Sequence, residues 1–100
     1  MTVAFRHVVM VRWKPDVTAA QRGAVVDALR ALPATVASIR SYVVGEDAAV
    51  NAGNHDLVIV ADFDDVDGYL TYRDHAEHQR VIAELILPIL ADRSAVQHEI

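Results

Sequence analysis

Residues 56–63, Asp-Leu-Val-Ile-Val-Ala-Asp-Phe, decide the reading of the chain. The run is short and rich in β-branched types, so it reads as a strand. Leu57, Ile59, Ala61 and Phe63 fall on one face, and Val58 and Val60 on the other with Asp56 and Asp62 at the margins. A strand with one wet face alternates apolar with polar; this one is apolar at its centre on both sides.

The same two-sided pattern opens the chain. Residues 3–13, Val-Ala-Phe-Arg-His-Val-Val-Met-Val-Arg-Trp, form a first strand stopped at Lys14-Pro15, with Phe5, His7, Val9, Val11 and Trp13 on one face and Arg6, Val8, Met10 and Arg12 on the other. Thr18-Ala-Ala-Gln21 is a capping box that starts a helix. Val25, Val26, Leu29 and Leu32 give that helix one apolar stripe, and Pro33 is expected to end it. Residues 38–46 make a second strand, and Asn51-Ala-Gly-Asn54 supplies turn residues before the third. Asp64-Asp65 caps a short helix through about Arg73 with Val66, Tyr69 and Leu70 inward. Asp74, with Glu77 three residues on, is expected to cap a longer helix from about His75 to Leu87, with His78, Ile82, Leu85 and Ile89 on one stripe and a kink at Pro88. Residues 94–100 give a last strand.

The order β-α-β-β-α-β is α+β and ferredoxin-like: a four-stranded antiparallel sheet with helices on one face, in one domain spanning residues 1–100. The helices cover only one face. The other would be an apolar patch larger than soluble monomers usually expose, and the chain has no spare segment to hide it. A second copy, sheet against sheet about a two-fold axis, is the simplest cover, so a homodimer is expected. The competing reading leaves Val8, Met10, Val58 and Val60 at the surface, partly shielded by the stems of Arg6 and Arg12.

Composition excludes several classes. The formal net charge is −5 with acids and bases scattered, unlike the basic stripe that nucleic-acid binding needs. No run approaches the ~18 apolar residues of a membrane span, and the start lacks the pattern of a leader peptide. The cysteine count of zero removes disulfides and thiolate chemistry. The expectation is a cytoplasmic protein with neither nucleic acid nor membrane as partner.

Over nearly its whole length the chain resembles the stress-responsive dimeric α/β-barrel (Dabb) family. The likeness is carried by His7-Val-Val-Met-Val-Arg-Trp-Lys-Pro-Asp16, Leu29-x-x-Leu-Pro33, Ser41-Tyr-Val-Val-Gly45, residues 56–63, Tyr69-Leu-x-Tyr-x-x-His75-x-x-His78 and Leu87-Pro88-Ile-Leu. The resemblance implies a ferredoxin-like subunit in a homodimer whose sheets close into a barrel, most members having no assigned reaction. It also implies a pocket for a small hydrophobic or aromatic ligand between sheet and helices, with His7, Val9, Val25, Leu29, His75 and Ile82 as its expected lining. A few members are cofactor-free polyketide cyclases that perform an intramolecular aldol condensation. The positions matching their catalytic pair are Tyr72, as hydrogen-bond donor, and His78, as general base. One departure is His75-Ala76-Glu77-His78, where the family often carries proline after the first histidine.

The residues themselves support plainer roles too. A histidine on an apolar stripe is more often a core group satisfied by one hydrogen bond, and a tyrosine is more often a packing ring. The His-Glu-x-x-His spacing of zinc hydrolases is absent, and neither metal nor cofactor is expected. A heme-degrading or quinone-oxidising oxygenase of the related barrel type has no identifying motif here. An enzyme would need His7, Tyr72 and His78 to converge on a cavity, whereas a purely structural protein would fill that space with Val25, Leu29, Ile82 and Leu85.

Overall fold

The computed structural model describes residues 4–100. The elements are β1 (Phe5–Trp13), α1 (Ala19–Thr35), β2 (Ser41–Glu46), β3 (Leu57–Phe63), α2 (Val66–Asp74), α3 (Ala76–Val81) and β4 (Leu90–Glu99). A π-helical turn at Ile82–Ile86 and a 3-10 turn at Leu87–Ile89 join α3 to β4. The strands lie in the order β2-β3-β1-β4, antiparallel throughout, the ferredoxin-like arrangement. Val3, expected in the first strand, lies outside the described residues.

Alternation divides the sheet as the sequence implies. His7, Val9, Val11 and Trp13 of β1 and Leu57, Ile59, Ala61 and Phe63 of β3 are buried towards the helices. All but His7 meet Val25, Val26, Leu29 and Leu32 of α1 in one core cluster. On the opposite face Val8, Val58 and Val60 are half-buried by neighbouring strands alone, while Met10, Val43 and Val96 stand 40%, 52% and 56% exposed. A bidentate ion pair from Arg6 Nε and Nη2 to the Asp62 carboxylate, at 2.7 and 2.8 Å, crosses that face between β1 and β3.

Several boundaries differ from expectation, each for a local reason. Pro33 lies inside α1, which continues to Thr35. Proline removes one donor near the end of the helix, but Val36 N–H still donates to the Leu32 carbonyl at 2.8 Å. β2 begins at Ser41, because Ile39 N–H closes a turn onto the Val36 carbonyl and the Ser38 hydroxyl donates to the Gly68 carbonyl. That bond draws α2 close. A Cβ at Gly68 would sit 3.3 Å from the Phe63 Cβ, so glycine here permits a close approach of helix to sheet.

Asp65 caps α2 through Gly68 N–H, as expected. Val66 does not face inward: at the first helical position its side chain points back past the cap and is 46% exposed, and Tyr72 fills the stripe instead. The cap of α3 is His75 and not Asp74. The His75 Nδ1 accepts from Glu77 N–H at 3.1 Å, while the Asp74 carboxylate is held by the Arg73 guanidinium.

The break at Pro88 is realised as a change of helix type. Proline has no N–H, and the chain just before it widens so that Leu87 N–H donates to the Ile82 carbonyl, five residues back. The wider turn rephases the stripe, burying Ile86 and leaving Leu85 half-exposed. β4 starts at Leu90, earlier than the expected residue 94, because β1 pairs with it from Trp13 onward; apart from the half-buried Leu90, the whole strand is exposed.

Candidate functional site

Where α2, α3 and the π turn cross the inner face of the sheet, the layers leave a cavity of about 180 Å³. Strand alternation brings His7 and Val9 to its floor from β1 and Ile59 from β3, Leu29 reaches it from α1, and Ile82 and Ile86 close it from the π turn. Tyr72 on α2 and His78 on α3 complete the wall. All three residues expected to carry chemistry therefore border one space. Two expected lining residues do not: Val25 is fully buried in the core, and His75 is spent on the helix cap. A larger depression of about 470 Å³ lies against the other sheet face, bordered by Met10, Gly45 and Val58, and none of the candidate residues reaches it.

The hydrogen bonds fix the protonation of both rings. His78, 9% exposed, places Nδ1 3.0 Å from the Arg73 carbonyl oxygen. A carbonyl only accepts, so Nδ1 carries the proton and Nε2 keeps the lone pair. His7, 4% exposed, has the reverse arrangement: the Gln97 amide nitrogen on β4 donates to its Nδ1 at 2.8 Å, so Nε2–H is a donor. The cavity is thus walled by one imidazole base and one imidazole donor.

Burial reinforces the neutral state of each. It pushes His7 down to about 4, with Arg93 and His78 adding like charge. It also lowers His78, against which the bond to the Arg73 carbonyl works. Tyr72 is almost wholly buried, its hydroxyl 2.9 Å from that of Tyr42 on β2. Burial holds Tyr42 up at about 12 and raises Tyr72 further, so both remain protonated. The Tyr72 ring lies 4.1 Å from the His78 ring, centre to centre, and fixes its orientation. Phe63 and Tyr69 pack on its other sides.

Arg93, Gln97 and Tyr42 were missed in the sequence. Arg93 and Gln97 share the inner face of β4, opposite Val11 and His7. Strict alternation from Leu90 would have put both on the other face; the register shift between Arg12 and Trp13 brings them inward, and no apolar pattern marks that end of the strand. The hydroxyl pair of Tyr42 and Tyr72 joins residues 30 apart in the chain and has no local signature.

The family described as Stress Responsive A/B Barrel Domain (Dabb) matches residues 5–100. No curated protein sequence matches the chain. Among solved structures, a dimeric ferredoxin-like protein of unknown function from Thermobifida fusca YX is 40% identical, with a TM-score of 0.91 over all of this chain and 93% of that one. A dimeric protein of unknown function and ferredoxin-like fold from Bacteroides fragilis NCTC 9343 is 25% identical, with a TM-score of 0.82 over 97% and 96% of the two chains. The hydroxynitrile lyase of Passiflora edulis is 15% identical with a TM-score of 0.87 over 100% and 95%, a likeness of fold.

Proposed function

The chain belongs to the stress responsive A/B barrel domain family, and on that premise we propose that it is a homodimer that binds a small, mainly apolar ligand between sheet and helices. The observation that carries the reading is the cavity: about 180 Å³ of space, floored and roofed by Val9, Leu29, Ile59 and Ile82. An apolar protein cavity of about 150 Å³ takes up benzene. Size therefore favours a ligand built on a single ring over an extended chain bearing several carbonyls.

Dimerisation is supported by the apolar outer face of the sheet and by the two dimeric relatives, 40% and 25% identical. Sedimentation at micromolar concentration should give twice the protomer mass, and Met10→Glu should shift it to the protomer. A well-folded wild-type protomer under those conditions would remove this part of the reading. Ligand binding is tested by titrating isotopically labelled protein with benzyl alcohol and following amide shifts. Shifts should cluster at Val9, Leu29, Tyr72 and His78 and vanish in Ile82→Trp, which fills the space; shifts scattered over the surface would count against the pocket.

A second reading, favoured by the paired imidazoles, is a cofactor-free enzyme that moves a proton next to a carbonyl, as an aldol cyclisation requires. The His78 Nε2 lone pair would take the proton. Tyr72, or His7 through Nε2–H, would hold the carbonyl oxygen as charge develops on it. Tyr72 is free to donate when Tyr42 supplies the proton of their shared bond. Acetophenone in heavy water is the probe: the protein should speed incorporation of deuterium into the methyl group, and His78→Ala should abolish the effect while leaving the fold intact. Exchange no faster than in buffer, or unchanged in His78→Ala, would eliminate the enzymatic reading.

A further inference from the structure

The chain carries a net charge of −5, yet no carboxylate lines the cavity among the described residues. Its charged wall is cationic, made of Arg73 and Arg93. The two are not equivalent. The Arg73 guanidinium is neutralised by Asp74, at 2.8 and 3.1 Å. Arg93 has no ion pair among the described residues, stands exposed on the inner face of β4 opposite Val11, and borders the cavity together with Leu87 and Leu90 at its rim.

We infer that the cavity selects an anionic ligand, a single-ring or similarly small apolar carboxylate, with the ring among Val9, Leu29 and Ile82 and the carboxylate paired to Arg93 at the mouth. The inference rests on the pocket reading above and gives the ligand its charge. The geometry suits it: an apolar floor takes the ring, and a planar guanidinium donates to both oxygens of a carboxylate in a fork. The field of Arg93 also reaches the rings of His7, Tyr72 and His78, so a negative group at the mouth offsets a positive potential that the protein leaves uncompensated. With both histidines neutral at physiological pH, Arg93 is the cavity's one unpaired full charge among the described residues.

The test compares benzoate with benzyl alcohol, of equal ring and opposite demand at the mouth, by titration calorimetry and amide shifts at low salt. Benzoate should bind about tenfold more tightly, the scale of one charge-assisted hydrogen-bonded pair at a partly solvated site. Arg93→Gln should lower benzoate to the level of benzyl alcohol and leave benzyl alcohol unchanged, and Arg93→Lys should restore part of the preference. Added salt should shrink the difference, because the pair lies at the surface. An unchanged urea midpoint shows that the variants fold. If benzyl alcohol binds in the cavity but benzoate is not preferred, or benzoate ignores Arg93→Gln, the assignment of charge is wrong and the pocket stands. If neither ligand shifts the cavity residues, the pocket reading fails and this inference with it.

Discussion

Lowering the pH from 7 to 5 should destabilise the folded protein through His7. At pH 7 the ring is neutral in the folded chain and mostly neutral in the unfolded one, so it contributes little. As pH falls through the ordinary value of 6.5, the unfolded chain binds a proton that the folded chain refuses until about 4. Stability is therefore lost progressively across that window and levels off below it. At pH 5, one and a half pH units under the ordinary value, the loss is ~2 kcal/mol at 1.36 kcal/mol per unit. His7 is 4% exposed, so solvent does little to reduce this. Urea unfolding at fixed protein concentration reads it directly: with a slope of ~1–2 kcal/mol/M, the midpoint should drop by ~1–2 M. His78, also lowered by burial, contributes its own pH dependence, and His7→Gln isolates the part that belongs to this ring. The glutamine variant will start lower at pH 7 and should lose less on acidification. Parallel loss in both proteins would refute the reasoning, because it would mean that His7 is wet or already protonated in the folded state.

Tyr72→Phe should cost ~1–2 kcal/mol, because it strands the half-buried Tyr42 hydroxyl whose partner lies 2.9 Å away. Adding Tyr42→Phe should cost less than the sum of the two single changes; strict additivity in a double-mutant cycle would show the hydroxyls uncoupled. His75→Ala should cost ~1 kcal/mol by removing the acceptor for Glu77 N–H at the start of α3, and His75→Asn should recover most of it. Equal melts for wild type and His75→Ala would place the cap elsewhere.

The fold was legible because its determinants are local and repeated. Two strands apolar on both faces, Val8 to Met10 and Leu57 to Ala61, set the layers and their order, and Thr18 with Gln21 opened α1 as written. His7 and His78 were legible for a related reason, each sitting on an inward face set by a period of two or of 3.6, whereas Tyr72 came from the family resemblance alone, the period having put Val66, Tyr69 and Leu70 inward. What escaped was decided by partners. Asp74 looked like a cap until Arg73 claimed its carboxylate and left the role to His75. β4 carries too little apolar pattern to announce its start, so Arg93 and Gln97 stayed hidden until pairing with β1 fixed their face.

The cavity follows from the same competition between local pattern and chain chemistry. A regular helix from Ala76 to Ile89 would have carried its stripe of His78, Ile82, Leu85 and Ile89 along the sheet, and close packing tends to fill such a seam. Pro88 prevents this by withholding a donor, and the chain answers with a π turn that swings Ile86 inward and leaves Leu85 at the edge. Ile82, Ile86 and Leu87, all from the irregular stretch, join Leu29, Tyr72 and His78 of the regular helices in bounding the space on the helix side. A residue that restores the donor, as in Pro88→Ala, should let a regular α-helix run on and rephase the stripe. Its expected signature is loss of the benzyl alcohol shifts at Val9 and His78 without loss of stability. Retained binding in a variant shown to have lost the π turn would separate the cavity from the helix irregularity and leave the strand residues alone to account for it.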